Sequence, residues 1–338
     1  MKDRRLGRTG LRVPEIGLGT MTFGTMADEG QSLAILDKAF DAGLCFIDLA
    51  EVYPVPPDPQ WATRTEQIVG KWMQGRRRDS LLLATKVAGP SGGWFQAPVR
   101  NGHTALDRHS IARACEDSLR RLGTDYVDLY QTHWPDPGLP YEEIMEALTR
   151  LVEDGKARAV GCSNESAYGL TKSLWISDKH GFARHETIQN NFSLLNRRFE
   201  DELAVVCRRE QVSLLAYSPL AGGVLSGKYQ GGVWPTPARF TWYNEYSPRT
   251  KVMTGRFVNE RTLAATERFR QVAAECGMSL VTFAIAWTLT RDFVGATLIG
   301  ATHPDQLDDL LAAADAKLPP EALAAVDEIS REIRYPLG

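Results

Sequence analysis

Seven short apolar runs along this chain each end on a polar residue able to do chemistry or to hold a ligand. They are FID at Asp48, LLLATK at Lys86, VDLYQTH at His133, AVGCSN at Ser163 and Asn164, TIQ at Gln189, LLAYS at Tyr217 and Ser218, and TLIGAT at Gly300, Ala301 and Thr302. Most are separated by a stretch with helical apolar spacing. Gly43, Gly123, Gly155 and Gly181 each stand between such a stretch and the next run. A glycine tolerates the left-handed turn that ends a helix, because it has no Cβ to clash. Helix, glycine, short strand, polar tip is the grammar of α/β alternation. Repeated this often, it predicts a (β/α)8 TIM barrel whose site lies at one rim, where the strand ends converge.

The remaining signals fit that frame. Residues 4–13 alternate around Gly7 and Gly10 and predict an N-terminal β-hairpin that plugs the bottom of the barrel. Residues 15–19 form the first barrel strand. Asp28 with Gln31 makes a capping box for a helix presenting Leu33, Leu36 and Phe40 and ending at Gly43. Further along, helices are expected over 197–210, 260–276 and 279–290, with strands over 212–217 and 296–300. A helix follows from Pro304, and a last one after Pro319-Pro320 is expected to pack outside the barrel. Long loops are expected over 52–62, 87–106 and 219–259, all at the C-terminal rim, carrying Trp61, Trp94, Phe95, Trp234, Trp242 and Tyr243. No change of composition divides the 338 residues, so one domain over 1–338 is expected.

Composition narrows the function. With 43% hydrophobic and 24% charged residues and a net charge of −3, the chain has ample core and no basic stripe. Nucleic acid and anionic membrane surfaces are therefore poor partners. Residues 1–19 hold early charge but no continuous apolar segment, so no signal peptide is expected, and no run reaches the ~20 residues of a membrane span. Five scattered cysteines without a C-x-x-C read as buried free thiols in a reducing, cytoplasmic compartment.

Asp48, Lys86 and His133 stand at strand tips, and Tyr53 one short turn beyond Asp48. An ammonium near a phenol favours the phenolate, a carboxylate holds the ammonium, and an imidazole orients the reacting oxygen. Such a set is suited to giving a proton to a carbonyl oxygen. None of the four can deliver a hydride, so a cofactor is required. Alone, an Asp–Lys pair reads as a structural salt bridge and a His before Trp-Pro as a loop anchor; it is their sequence of adjacent tips that argues for chemistry. A metal-dependent hydrolase is disfavoured, because of six histidines only His133 is at a strand tip. The segment GGVLSGK over 222–228 imitates a phosphate-binding P-loop, but Tyr229 replaces the required Ser or Thr.

FIDLAEVYP, the Thr85-Lys86 pair, LYQTHWP and VGCSNES together resemble the aldo-keto reductase superfamily. EVYPVPP, TIQNNFSLLNRRFE and AYSPLAGGVLSGKY are similar to its bacterial Tas-like branch and, more loosely, to potassium-channel β subunits. The resemblance runs from Gly7 to about Leu311. It implies NADPH bound without a Rossmann domain and reduction of a small aldehyde or ketone. It casts Asp48, Tyr53, Lys86 and His133 as a catalytic tetrad with Tyr53 as general acid. Ser163, Asn164 and Gln189 match positions that bind the nicotinamide amide, Tyr217 the ring stacked on it, and Thr20 and Met21 the first-strand contacts; Asp48 also reaches the cofactor. Ser218, Leu220, Lys228 and Arg239 match the cover over the pyrophosphate and ribose; Gly300, Ala301, Thr302 and Gln306 match the grip on the 2′-phosphate. That last segment, GATHPDQLDDL, carries aspartates where many relatives have Lys or Arg, and Leu310 where Asn is usual, so NADH stays open as a second cofactor. The substrate pocket is expected from Tyr53, Trp61, Trp94, His133 and Trp134, without a metal. The channel-subunit likeness also admits a redox-sensing regulatory subunit with slow turnover. Oligomeric state, including a homo-oligomer, is left open.

Overall fold

The computed structural model describes residues 1–91 and 97–337. A two-stranded antiparallel hairpin, β1 (Asp3–Arg5) and β2 (Arg12–Pro14), opens the chain. Eight parallel strands follow: β3 (Ile16–Gly19), β4 (Phe46–Asp48), β5 (Leu82–Val87), β6 (Val127–Thr132), β7 (Ala157–Ser163), β8 (His185–Asn191), β9 (Ser213–Tyr217) and β10 (Val294–Ile299). They pair in chain order, and β10 closes on both β9 and β3. The expected (β/α)8 TIM barrel with its N-terminal hairpin is the architecture found.

Among the described residues, twelve α-helices accompany the strands. They are α1 (Glu29–Asp41), α2 (Arg64–Met73), α3 (Arg108–Leu122), α4 (Tyr141–Glu153), α5 (Ala167–His180), α6 (Leu203–Glu210), α7 (Arg239–Tyr246), α8 (Pro248–Phe257), α9 (Glu260–Glu275), α10 (Leu280–Leu289), α11 (Leu307–Leu311) and α12 (Pro320–Glu332). The capping box at Asp28 and Gln31 forms as the spacing predicts. Gly123 and Gly181 cap α3 and α5 in the left-handed conformation, each sending its N–H back into the last turn. Helix α12 packs on α9.

The hairpin closes one end. Leu6, Leu11 and Val13 join Phe46, Leu129, Leu215 and Leu298 in a buried cluster inside the barrel. Arg4 fastens the hairpin to the barrel wall through the carbonyl of Val294 (2.8 Å) and the carboxylate of Glu15 (2.9 Å). With the bottom filled, a ligand has only the opposite rim, where the strands end.

Two segments differ from the sequence expectation. The helix expected over 197–210 is α-helical only as α6; a 3-10 turn at Arg198–Glu200 precedes it. Phe199 in that turn is buried against Phe192 and Phe293, and this anchoring interrupts the helix. The loop expected over 219–259 contains α7 and α8. Ser247 caps α8 with Thr250 completing the box and Pro248 in its first turn. That signal lies in the sequence, but Thr rather than Glu or Gln at the third position hides it. No single helix among the described residues is long and apolar enough to cross a membrane.

Candidate active site

The site is assembled around Asp48, the last residue of β4. Parallel pairing sets Lys86 on β5 beside it, and the Lys86 Nζ donates to Asp48 Oδ1 and to the Leu49 carbonyl, both at 2.6 Å. The other carboxylate oxygen, Oδ2, accepts from Gln189 Nε2 on β8 (2.8 Å) and from Gln131 Nε2 on β6 (3.3 Å). One carboxylate thus collects donors from three other strands. A buried charge is tolerable only when paired and hydrogen-bonded in this way.

Beyond Asp48 the chain turns at once. The Glu51 N–H donates to the Lys86 carbonyl (3.2 Å) and the Tyr53 N–H to the Ala50 carbonyl (3.1 Å). The Tyr53 ring comes to rest with its centroid 4.9 Å from Lys86 Nζ and 5.5 Å from the His133 ring, edge to face. Burial, then the Asp48 carboxylate, push the phenol well above its ordinary value, while Arg239 pulls the other way. The dominant downward pull expected from the ammonium is therefore not what governs this phenol; desolvation is. Burial draws the Lys86 amine down, against the Asp48 carboxylate. Burial and the Lys86 charge hold His133 well below the usual imidazole range, so it is neutral near pH 7.

A second network lies on the β7 and β8 tips. Ser163 Oγ donates to the Gln189 carbonyl (2.7 Å), Asn164 Nδ2 to the His133 carbonyl (2.9 Å), and the Tyr217 hydroxyl to Asn164 Oδ1 (2.7 Å). Thr20 Oγ1 donates to the Asp48 carbonyl (2.8 Å).

Most of these residues, though not Lys86 or Gln131, face one cavity of about 1860 Å³. Its wall includes Thr20, Met21, Asp48, Tyr53, His133, Trp134, Ser163, Asn164, Gln189 and Tyr217 at one side. Ser218, Leu220, Lys228 and Arg239 line it from the segment after β9, and Gly300, Ala301, Thr302 and Gln306 from the end of β10. Positive φ at Ser218, Ala221, Gly222 and Gly223 folds the backbone back on itself where it leaves β9. Lys228 is solvent-exposed at the cavity edge and has no carboxylate within ion-pair distance among the described residues; partial desolvation, then the Arg239 charge, lower its amine. Two cations with no acid between them suit a polyanionic ligand. At the far end the Thr302 N–H donates to Gln306 Oε1 (2.9 Å).

Not every expected residue lies on this wall. Lys86 is fully buried and sits behind Asp48. Trp61 does not line the cavity: its indole N–H donates to the Pro56 carbonyl (2.8 Å), and its ring packs on Trp242 and Tyr246. Pro56, Pro57 and Asp58 of its loop line the cavity, while Trp61 itself packs on the α7 segment. Trp94 lies outside the described residues. The sequence reading also missed several participants. Gln131 carries no signal beyond lying two residues before His133. Glu51 is buried, accepts the Ala88 N–H (2.6 Å) and is forked by Arg100 (2.6 and 2.8 Å), tying the start of the Tyr53 turn to the segment at 97–102. Arg249 and Arg256 reach the cavity from α8, which the sequence left as a loop.

The model of the Aldo/keto reductase family matches residues 15–331. The chain belongs to this family. It is 38% identical to "Protein tas" of Escherichia coli strain K12, over 99% of both chains. It is 35% identical to the "Uncharacterized oxidoreductase YrpG" of Bacillus subtilis strain 168, over 97% of this chain and 96% of that one. A "Probable voltage-gated potassium channel subunit beta" of Oryza sativa subsp. japonica is 32% identical over 97% of this chain and 96% of its own length. Like other aldo/keto reductases, the chain is an oxidoreductase of the nicotinamide-dependent, carbonyl-reducing kind. Among the described residues, no group of three or more His, Cys, Asp or Glu side chains is arranged to hold a metal.

Proposed function

We propose that this aldo/keto reductase converts aldehydes or ketones to alcohols, with NADPH as reductant and Tyr53 as proton donor to the carbonyl oxygen. One observation carries the reading: the Tyr53 phenol and the His133 imidazole meet at one end of a single cavity, with the Lys86 amine, held by Asp48, directly behind them. When bound, NADPH supplies a hydride. Tyr53, whose phenol is held protonated, donates its proton to the substrate oxygen, and His133 hydrogen-bonds that oxygen and orients it. Lys86, fixed by Asp48, stabilises the phenolate left behind.

The cavity fits the cofactor in its chemistry. Ser163, Asn164 and Gln189 offer amide and hydroxyl partners to a carboxamide, and Tyr217 an aromatic face. Thr20 and Met21 edge that end. Lys228 and Arg239, with Ser218 and Leu220, suit the pyrophosphate. Gly300, Ala301, Thr302 and Gln306 are assigned to the adenosine end. NADPH is taken over NADH from the family likeness; Lys228 and Arg239 would serve the pyrophosphate of either cofactor, Asp309 also lines the adenosine end, and Asp308 is engaged with Lys38 (2.6 Å). The mostly apolar wall around Trp134 and Val52 favours aromatic or other apolar carbonyls. The whole chain is taken to work as one domain, and its five free cysteines are in keeping with the cytoplasm.

Fluorescence titration with NADPH and NADH, followed by cofactor oxidation with a panel of aromatic and aliphatic carbonyls, tests the proposal. Tighter NADPH binding and turnover of at least one carbonyl are expected; stronger NADH binding would overturn the cofactor assignment. The similarity to the channel subunit supports a second reading, a cofactor-binding regulatory protein. Cofactor retained through purification, with rates near zero on every carbonyl, would favour it.

A further inference from the structure

Gln131 is the least explained side chain in this site. It is fully buried on β6, lies outside the cavity wall, and uses only its Nε2 on Asp48; its Oε1 has no hydrogen-bond partner among the described residues. A Leu or Met would fill the same volume without burying an unpaired amide oxygen. In register it stands between Lys86 on β5 and Gly161 on β7, and Gly161 faces Thr187 on β8. A Cβ on Gly161 would lie 2.2 Å from Thr187 Oγ1, so β7 must be bare there for Thr187, while Gln131 Cγ at 3.4 Å would be in ordinary contact.

The two amides on Asp48 Oδ2 are not equivalent. Gln189 lines the cavity, so a bound carboxamide competes for it. Gln131 does not, and its hold on Asp48 is independent of what the cavity contains. We infer that Gln131 is a positioning residue that keeps the Asp48 carboxylate aimed at Lys86, and through it the ammonium beside Tyr53, whatever Gln189 is doing. The inference rests on the role proposed above for Tyr53.

Gln131→Met tests it. The variant should melt at or above the parent temperature and bind NADPH within twofold of it. Its kcat on 4-nitrobenzaldehyde should fall at least fivefold with KM within twofold. An unchanged kcat would overturn the inference, as would a loss of kcat that merely accompanies a lowered melting temperature. Gln131→Glu keeps the shape and sets a second carboxyl against Asp48. The charged groups around it are Asp48 on β4 and Lys86 on β5, with Glu66 of α2 acting on Lys86, while His133 near Lys86 is titratable but neutral. Gly161, Thr187 and Gln189 on the other side carry no charge. Its kcat should drop as pH rises and recover on acidification; a parental pH profile would contradict the assignment. If the parent itself turns over no carbonyl, the reading of Tyr53 fails separately. The Gln131 role is then read from the 13Cε NMR signal of Lys86, assigned by its disappearance in Lys86→Met. That signal should move in Gln131→Met, and an unmoved signal means that Gln131 only fills space.

Discussion

The strand tips and the excursion between β9 and α9 line the same cavity, but they are built differently. At the tips, Asp48, Lys86, Gln131 and Gln189 come from four strands and are joined by hydrogen bonds of 2.6 to 3.3 Å in the barrel interior. In the excursion, Lys228, Arg239, Arg249 and Arg256 reach inward from turns and short helices. Hydrogen bonds from Tyr246 to Asp58 and from Gln230 to the Leu263 carbonyl (both 2.9 Å) fasten that segment at its edges, and tilted rings pack around Trp61. The tips form an interior in which the loss of Lys86 would leave the Asp48 charge buried without its counter-ion. The excursion is a cover whose members act more independently. Chemistry belongs to the first region and cofactor affinity to the second.

The largest effect that would break this comparison is expected at Lys86. Lys86→Met leaves the Asp48 carboxylate buried without its cation, which costs about 3–5 kcal/mol when a buried pair is broken from one side. Thermal or urea unfolding should register that loss, and turnover should collapse with it. A variant as stable as the parent would mean that the tips are no more interdependent than the cover. A smaller, separable effect is expected at Arg239. Arg239→Ala should raise the NADPH Kd about tenfold, or about 1.4 kcal/mol, with little change in stability. Equal losses of affinity and stability would erase the distinction between the two regions. The smallest effect concerns pH. Tyr53 is held up and His133 down, so each keeps one protonation state between about pH 6 and 8, and kcat should be flat across that window. A limb near 6.5 would show that His133 titrates as an ordinary imidazole.

The same contrast explains what could be read from the sequence. In a parallel barrel, neighbouring strands lie about 4.8 Å apart in register, so polar residues that end successive apolar runs must meet. Asp48, Lys86, His133, Ser163, Asn164, Gln189 and Tyr217 were legible for that reason. Gln131 was not, since a polar residue inside an apolar run shows its direction only once the strand is placed. The Glu51–Arg100 fork joins residues 49 positions apart, with Arg100 and Asn101 in left-handed conformations that no local pattern announces. Helices α7 and α8 were read as loop because their stability comes from packing rather than propensity: Phe240 and Tyr243 are buried against the rest of the cover. Trp61 was placed on the cavity by loop position alone, and the loop turned it toward Trp242.

Tyr53 is the proton donor proposed for the cavity end where the tips converge. Tyr53→Phe removes one hydroxyl and almost no volume. With NADPH saturating and 4-nitrobenzaldehyde as substrate, its turnover should fall by about 10²–10⁴, while NADPH Kd and melting temperature stay at parental values. Parental turnover in that variant would contradict the central claim.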